Sequence, residues 1–337
     1  MSGGDSARFL APVHAFGLQN DVQNNVIAVD ESTVIHPVGR AIALYNTDSH
    51  KMAFIRDGTQ DKGEMTALAL APSKKYLAVC ERAETAQISI YHVASQKRTK
   101  VLPTATSPLE GSESDHFVTA AFSADSKLLA AVTGDFCLVL WLWDKGRLLA
   151  MQKSITLPPP TNGPAAVSRV SFNPTDGNML ATSGTRLLKL WRVTDGTLRS
   201  WKDMTKGKEA RSCTATNPNP NPDPNPNPNP SPNPGKEAPS FTDHVWLPGG
   251  DDRIGACTDG GEVHMVEKGE VRNVLTSARD QGATNLLCIC AFARGFVTAG
   301  KEGILCIYEA SKVRVMARVG VGVEVGVGVR VRGEGER

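Results

Sequence analysis

A chain of 337 residues, 40% hydrophobic and 21% charged, holds enough apolar sequence for one large core, and its net charge of +2 gives no basis for a nucleic-acid or membrane-surface partner. Its seven cysteines are odd in number, lie mostly in apolar runs and contain no Cys-x-x-Cys pair, which excludes a disulfide framework and predicts reduced, buried thiols in an intracellular protein. Residues 1–15 lack the basic and apolar regions of a leader, and no apolar segment approaches the roughly 18 residues needed to span a bilayer, so a soluble chain is expected.

Residues 1–13 are Gly/Ser-rich and read as a disordered terminus. From His14 onward short apolar runs alternate with turn chemistry: 26–29, 33–36 and 41–45 each end at a turn. The segment 65–102 repeats this arrangement with Ala71-Pro72-Ser73 at its first turn, and 116–155 repeats it again. The clearest copy is 165–201, in which alternating 167–172, the turn residues 173–177, the apolar run 179–182, Leu187 to Trp191 and an Asp195-Gly196 turn make a four-stranded antiparallel meander. Two further copies occupy 244–275, with an Asp259-Gly260 turn, and 285–319.

The third strand of each copy closes on an apolar-x-apolar step whose last residue is Tyr45, Tyr91, Trp141, Trp191, Val266 or Tyr308. Outside one insertion these recur every 42 to 50 residues, approximately the period of a propeller blade. A single such sheet cannot bury both faces, whereas blades stacked about an axis bury each face against a neighbour. The predicted fold is therefore all-β: a partial β-propeller over 14–319 with about six four-stranded blades, near 14–60, 61–105, 116–157, 164–201, 241–277 and 283–319. Trp191 is expected to be buried between blades.

Two segments leave the repeat. Within 202–240 an Asn-Pro array over 217–234, broken only by Asp223 and Ser231, predicts an extended solvated loop that the fold does not need, since loop closure costs grow slowly with length. Recruitment of an aromatic-lined module is the other use of such sequence. In the tail, valine alternates with glycine or charge over 319–332, and glycine weakens any strand there. The low-complexity segment 320–337 thus stands where a seventh repeat would begin. The ring is expected to be incomplete or open, leaving outer faces of blades one and six unpartnered and prone to self-association.

The chemistry-bearing constellations are weak. Gly295-Phe-Val-Thr-Ala-Gly300-Lys301 imitates a phosphate loop, but Glu302 stands where a magnesium-binding hydroxyl belongs and a strand is expected to follow in place of a helix. Histidines 14, 36, 50, 92, 116, 244 and 264 never pair at metal-ligand spacing, and Asp115-His116 lacks a nucleophile elbow. His116 and His244, at blade starts, are expected to satisfy turn backbone groups. Asp251-Asp252 reads as a solvated face. The basic run Lys97-Arg98-Thr99-Lys100 has no interleaved aromatics and reads as a solvated outer strand, with an acidic partner such as a tubulin tail or a phosphate backbone as the alternative. No catalytic, cofactor-binding or metal-binding residue, and no cofactor, is expected.

Several stretches carry a family likeness: His14-Ala-Phe-Gly-Leu18, Asn24-Asn25-Val26, Val34-Ile-His-Pro-Val-Gly39, 138–149, 171–198, His244-Val-Trp-Leu-Pro, Thr258-Asp-Gly-Gly-Glu-Val and Gly269-Glu-Val271. On these the chain resembles the WD-repeat cilia- and flagella-associated proteins, in particular the axonemal subgroup with two N-terminal propellers and a long coiled coil. Asp135 and Glu302, six residues before Trp141 and Tyr308, stand where WD-repeat blades often place a structural acid, while the Trp143-Asp144 dipeptide sits two residues late and out of register. The resemblance implies a non-catalytic scaffold of the axoneme and cytoskeleton, similar to proteins that support inner dynein arms. It implies axonemal, dynein-arm or microtubule proteins as partners, with no nucleic acid and no membrane. A cytoplasmic adaptor for complex assembly or microtubule binding fits the same residues. The chain shows no second propeller and no heptad stretch, so the coiled-coil functions are not carried over and an N-terminal fragment or a truncated gene product is expected.

Overall fold

Runs of about six mostly apolar residues, each bounded by a tight turn, put every second side chain on the same face of a pleated strand, and the inner strands are buried on both faces. In the computed structural model, which describes residues 15, 17–57, 63–84, 86–102, 114–155, 166–205, 239–249, 252–280, 282–309 and 315–320, these runs build six four-stranded sheets in a β-propeller arrangement. Each sheet takes four consecutive strands in sequence order. The array over 217–234, the tail beyond 320, His14, Cys213 and Asp251 lie outside the described residues.

Blade one contains β1 (Ile27–Ala28), β2 (Thr33–Val38), β3 (Ala41–Asn46) and β4 (Met52–Asp57). Blade two contains β5 (Met65–Leu70), β6 (Tyr76–Glu81), β7 (Gln87–His92) and β8 (Lys97–Leu102). In blade three β9 (Phe117–Phe122), β10 (Leu128–Thr133) and β11 (Leu138–Leu142) are followed by a single 3-10 turn at Trp143–Lys145 and by β12 (Arg147–Gln152). Blade four is β13 (Val167–Phe172), β14 (Met179–Gly184), β15 (Leu187–Thr194) and β16 (Thr197–Asp203). Blade five is β17 (Phe241–Trp246), β18 (Arg253–Thr258), β19 (Val263–Glu267) and β20 (Glu270–Leu275); a short helix, α1 (Ser277–Asp280), leads to blade six, β21 (Leu286–Phe292), β22 (Gly295–Gly300), β23 (Ile304–Glu309) and β24 (Val315–Gly320).

The chain divides into two compact units, Met1–Thr182 with Leu190–Ser200, and Ser183–Lys189 with Trp201–Arg337. In the first, blade two is sealed on both faces. Leu77, Val79 and Tyr91 join a cluster with Ile35, Ile42 and Ile55 of blade one. Ala78, Cys80, Ile88 and Ile90 join another with Phe117, Leu129, Ala131, Val139 and Trp141 of blade three. Strand alternation thus gives each blade a backward face, toward the preceding blade, and a forward face, toward the following one. In the second unit the forward face of blade five, with Cys257, Val263 and Met265, packs on the backward face of blade six, where Phe296 and Tyr308 stack with ring centroids 4.6 Å apart.

Blade one departs from the repeat at its inner strand. β1 pairs only with Val34 and Ile35, so Pro37, which has no N–H to give a ladder, sits past the end of that pairing. Just before β1 the chain runs beside blade two instead: Gln23 N donates to Thr66 O (2.9 Å), Leu68 N donates to Gln23 O (2.9 Å), and Val22 is buried.

Candidate interaction surfaces

Most singled-out polar residues hold turns and blade contacts. Asp135 accepts a hydrogen bond from the Thr133 hydroxyl, while Cys137 N donates to the same oxygen at 3.0 Å, tying the β10–β11 turn ahead of Trp141. Glu302 acts differently in blade six, tying the β22–β23 turn to the segment before β21: Thr284 donates to it through both its hydroxyl and its backbone N, and the hydroxyl bond holds the Glu302 carboxyl below its ordinary pKa. Trp191 is buried, its Nε1 donating to Thr182 Oγ1 at 2.9 Å, and Tyr91, Trp141 and Tyr308 are buried at the same repeat position. Tyr45 is the exception, half-exposed and hydrogen-bonded to His50 Nδ1 at 2.8 Å.

The structure corrects the reading of the histidines. His244 does not lie in a turn; it sits inside β17, fully buried, with Nδ1 2.7 Å from Ser183 Oγ. Its neighbour Asp243 accepts from His244 N (2.8 Å) and Ile289 N (3.0 Å), so this buried carboxylate joins β17 to β21. His116 pairs through Nδ1 with the Asp115 carboxylate at 2.6 Å, a side-chain contact in place of the turn-backbone role expected of it. His264 on β19 is buried against the edge of Phe241, and burial pushes its pKa below the ordinary histidine value although Glu262 lies 3.5 Å away. Sequence reasoning missed the Asp243-His244-Ser183 link because its members come from different blades.

The phosphate-loop lookalike is strand β22 followed by a turn at Lys301 and strand β23. Gly295 is there for packing: a Cβ on it would lie 1.8 Å from Tyr308 O. Among the described residues no group of three His, Cys, Asp or Glu side chains converges as a metal site would require. Cys80, Cys137, Cys257 and Cys306 are buried thiols, and burial pushes Cys257 up to about 12. Cys288 and Cys290 are exposed, against the expectation of buried thiols, because they pair with Ala299 and Val297 on the half-exposed forward face of blade six; the equivalent Ala67 and Ala69 of blade two, after the same bulge, are buried.

Two surfaces remain. One is the forward face of blade six, where Val297, Ala299, Leu305 and Ile307 are half-exposed and Leu287 is 52% exposed. The other is the end of blades two and three that carries the β5–β6, β7–β8, β9–β10 and β11–β12 turns. The basic run of β8 lies here, and aromatic rings do stand beneath this end: Trp143 is buried 4.8 Å from the half-buried Tyr76, whose ring meets His92 at 5.5 Å. Trp143, out of register with the repeat, closes the blade two and three core from below and donates Nε1 to Ser126 O at 2.7 Å.

No protein-family model matches the chain. It is 29% identical over 265 residues to cilia- and flagella-associated protein 57 of Mus musculus, a match covering 77% of this chain and 18% of the relative. It is 26% identical to cilia- and flagella-associated protein 57 C of Tetrahymena thermophila and 24% identical to cilia- and flagella-associated protein 44 of Mus musculus, each over 55% of this chain and over 14% and 9% of those proteins. The chain therefore spans less than a fifth of the length of these relatives. Among solved structures, the RRP9 WD40 repeats superpose with a TM-score of 0.61 at 11% identity, covering 91% of this chain and 82% of that one. A chain of the mitotic checkpoint complex gives the same TM-score and identity, covering 94% and 88%. In fold the chain is a WD40-type β-propeller, and its homologues are cilia- and flagella-associated proteins 57 and 44.

Proposed function

We propose that this chain is a non-catalytic scaffold of the ciliary or flagellar axoneme, one that supports inner dynein arm assembly and motility by holding protein partners. The similarity to cilia- and flagella-associated protein 57 over 77% of the chain carries this reading. The geometry supports it, since the acids, histidines and hydroxyls singled out above are engaged in turns and blade contacts. Axonemal, dynein-arm or microtubule proteins are the proposed partners, with neither nucleic acid nor membrane among them. Tagged protein in a ciliated cell should concentrate along the cilium after ciliogenesis; a diffuse cytosolic signal before and after would overturn the ciliary reading and favour a cytoplasmic adaptor.

Self-association belongs to the same proposal. The half-exposed apolar forward face of blade six is a surface that a second sheet would cover. Light scattering over a dilution series should show mass that falls on dilution, and Leu287→Lys with Ile307→Lys should leave a monomer. A parent that is monomeric at every concentration would remove this part of the proposal.

A further inference from the structure

The same five-residue turn is built in blades two and three, with different charge. Lys74 and Ser126 hold equivalent left-handed positions (φ 61° and 60°), each donating its N–H at 2.8 Å to the first residue of its turn, Ala71 O or Ser123 O. In blade three Asp125 accepts from the Ser123 hydroxyl at 2.6 Å and lies 3.4 Å from Lys127 Nζ, so that lysine has a local anion. In blade two Ser73 replaces the aspartate, and its backbone N donates to Ser126 Oγ at 3.1 Å, which sets the two turns side by side. Lys74 and Lys75 are left exposed without a carboxylate. Lys97 and Arg98 are exposed at the start of the adjacent β8, and Lys100 reaches Asp144 O across to blade three. Among the described residues none of these five cations has a carboxylate within ion-pair distance.

Blade three extends the positive field with Lys127, Lys145 and Arg147, offset in part by Asp125 and by Asp144, which lies 3.8 Å from Lys145 Nζ. The same end of blade one carries exposed Asp30, Glu31 and Asp48 with a single lysine, Lys51, and that of blade four carries half-buried Asp176 and exposed Asp195. The field is thus a bounded stripe on a chain whose net charge is only +2.

We propose that the turn end of blades two and three binds an extended acidic peptide segment, rich in glutamate, lying across Lys74, Lys75, Lys97 and Arg98. Cations without a carboxylate partner, spaced along two neighbouring turns and an outer strand, match carboxylates spaced along an extended chain, Lys74 giving up only a 3.4 Å hydrogen bond to Ala28 O, and with a Debye length of about 8 Å only a ligand in close contact feels them at physiological salt. A nucleic acid long enough to track a groove would meet the flanking carboxylates of blades one and four, and the aromatic rings here lie under the turns, where they offer no stacking platform. The surface deepens the scaffold reading by naming a partner chemistry, but binding and cellular location are measured apart, so either can fail while the other stands.

The test is fluorescence anisotropy with a labelled oligoglutamate of about ten residues, long enough to cross both turns, against an oligothymidylate of similar charge. The peptide should bind the full chain and weaken steeply with added salt. The triple variant Lys74→Gly, Lys75→Gln and Arg98→Gln should weaken it by about tenfold or more. Glycine suits the left-handed position of Lys74, so the variant should keep its unfolding midpoint. Arg199→Gln with Lys202→Gln, exposed on β16, should bind as the parent does. Absence of salt-sensitive binding, equal binding by the triple variant, or preference for the oligothymidylate through the same residues would each overturn the proposal, the last in favour of a nucleic acid.

Discussion

Blades two and six carry the same cross-strand pairs and differ in what covers them. In blade two Ala78 faces Ile90 and Cys80 faces Ile88, and all four are 0% exposed. At the corresponding places in blade six Val297 faces Ile307 and Ala299 faces Leu305, and all four are half-exposed. The backward faces do not differ in this way: Leu77 and Tyr91 are buried, as are Phe296 and Tyr308. A propeller sheet is made stable by its neighbours more than by its own ladder, so two blades of equal hydrophobicity contribute unequally when one has a single sealed face.

The largest effect should come from the sealed aromatic position. Trp191→Ala removes a buried ring and leaves the Thr182 hydroxyl without its donor, and should cost about 3–5 kcal/mol, whereas Tyr45→Ala at the same repeat position, half-exposed, should cost less than half as much. Chemical denaturation of both variants checks this, and equal losses would break the link between blade cover and stability. Next, Ile90→Ala should cost about 2–5 kcal/mol and Ile307→Ala about 1 kcal/mol, because only the first opens a closed cavity. A larger loss for Ile307→Ala would mean that the forward face of blade six is covered in solution.

A smaller effect is tied to pH. Burial lowers the folded pKa of His264 below its ordinary 6.5, so above that pH neither state is charged and the full stability is present. As pH falls the unfolded chain takes up the proton first, and stability is lost down through the lower folded pKa. The unfolding midpoint should therefore drop between pH 7 and pH 5, and His264→Phe should flatten that drop. An unchanged slope would remove His264 as its source. The smallest effect leaves stability alone: brief alkylation of the native chain should label Cys288 and Cys290 while sparing Cys80, Cys137, Cys257 and Cys306. Labelling of Cys257 at a comparable rate would show that blade five opens as readily as the bulged β21.

The order of strands, the number of blades and the position of each closing aromatic were legible in the chain, since strand alternation and turn residues act within a few positions of one another. The resemblance to WD-repeat blades, and not local pattern, pointed to Asp135 and Glu302, which sit at a fixed offset from Trp141 and Tyr308. Local pattern failed for His244, whose partner Ser183 lies far away in sequence, and for Cys288 and Cys290, whose exposure follows from the half-exposed forward face of blade six that they share with Ala299 and Val297. The basic run of β8 looked like an ordinary solvated strand for a related reason. Its significance depends on Lys74 and Lys75 from another turn and on Ser73 standing in blade two where blade three has Asp125.

The sequence by itself determined the repeat, the order of the strands and the apolar character of both sheet faces, because these follow from backbone geometry and the local run of side chains. Only the tertiary structure decided which of those faces is sealed, which thiols meet solvent and which cations stand together. Burial and electrostatic potential are sums over neighbours in space, and the residues that set them here belong to different blades.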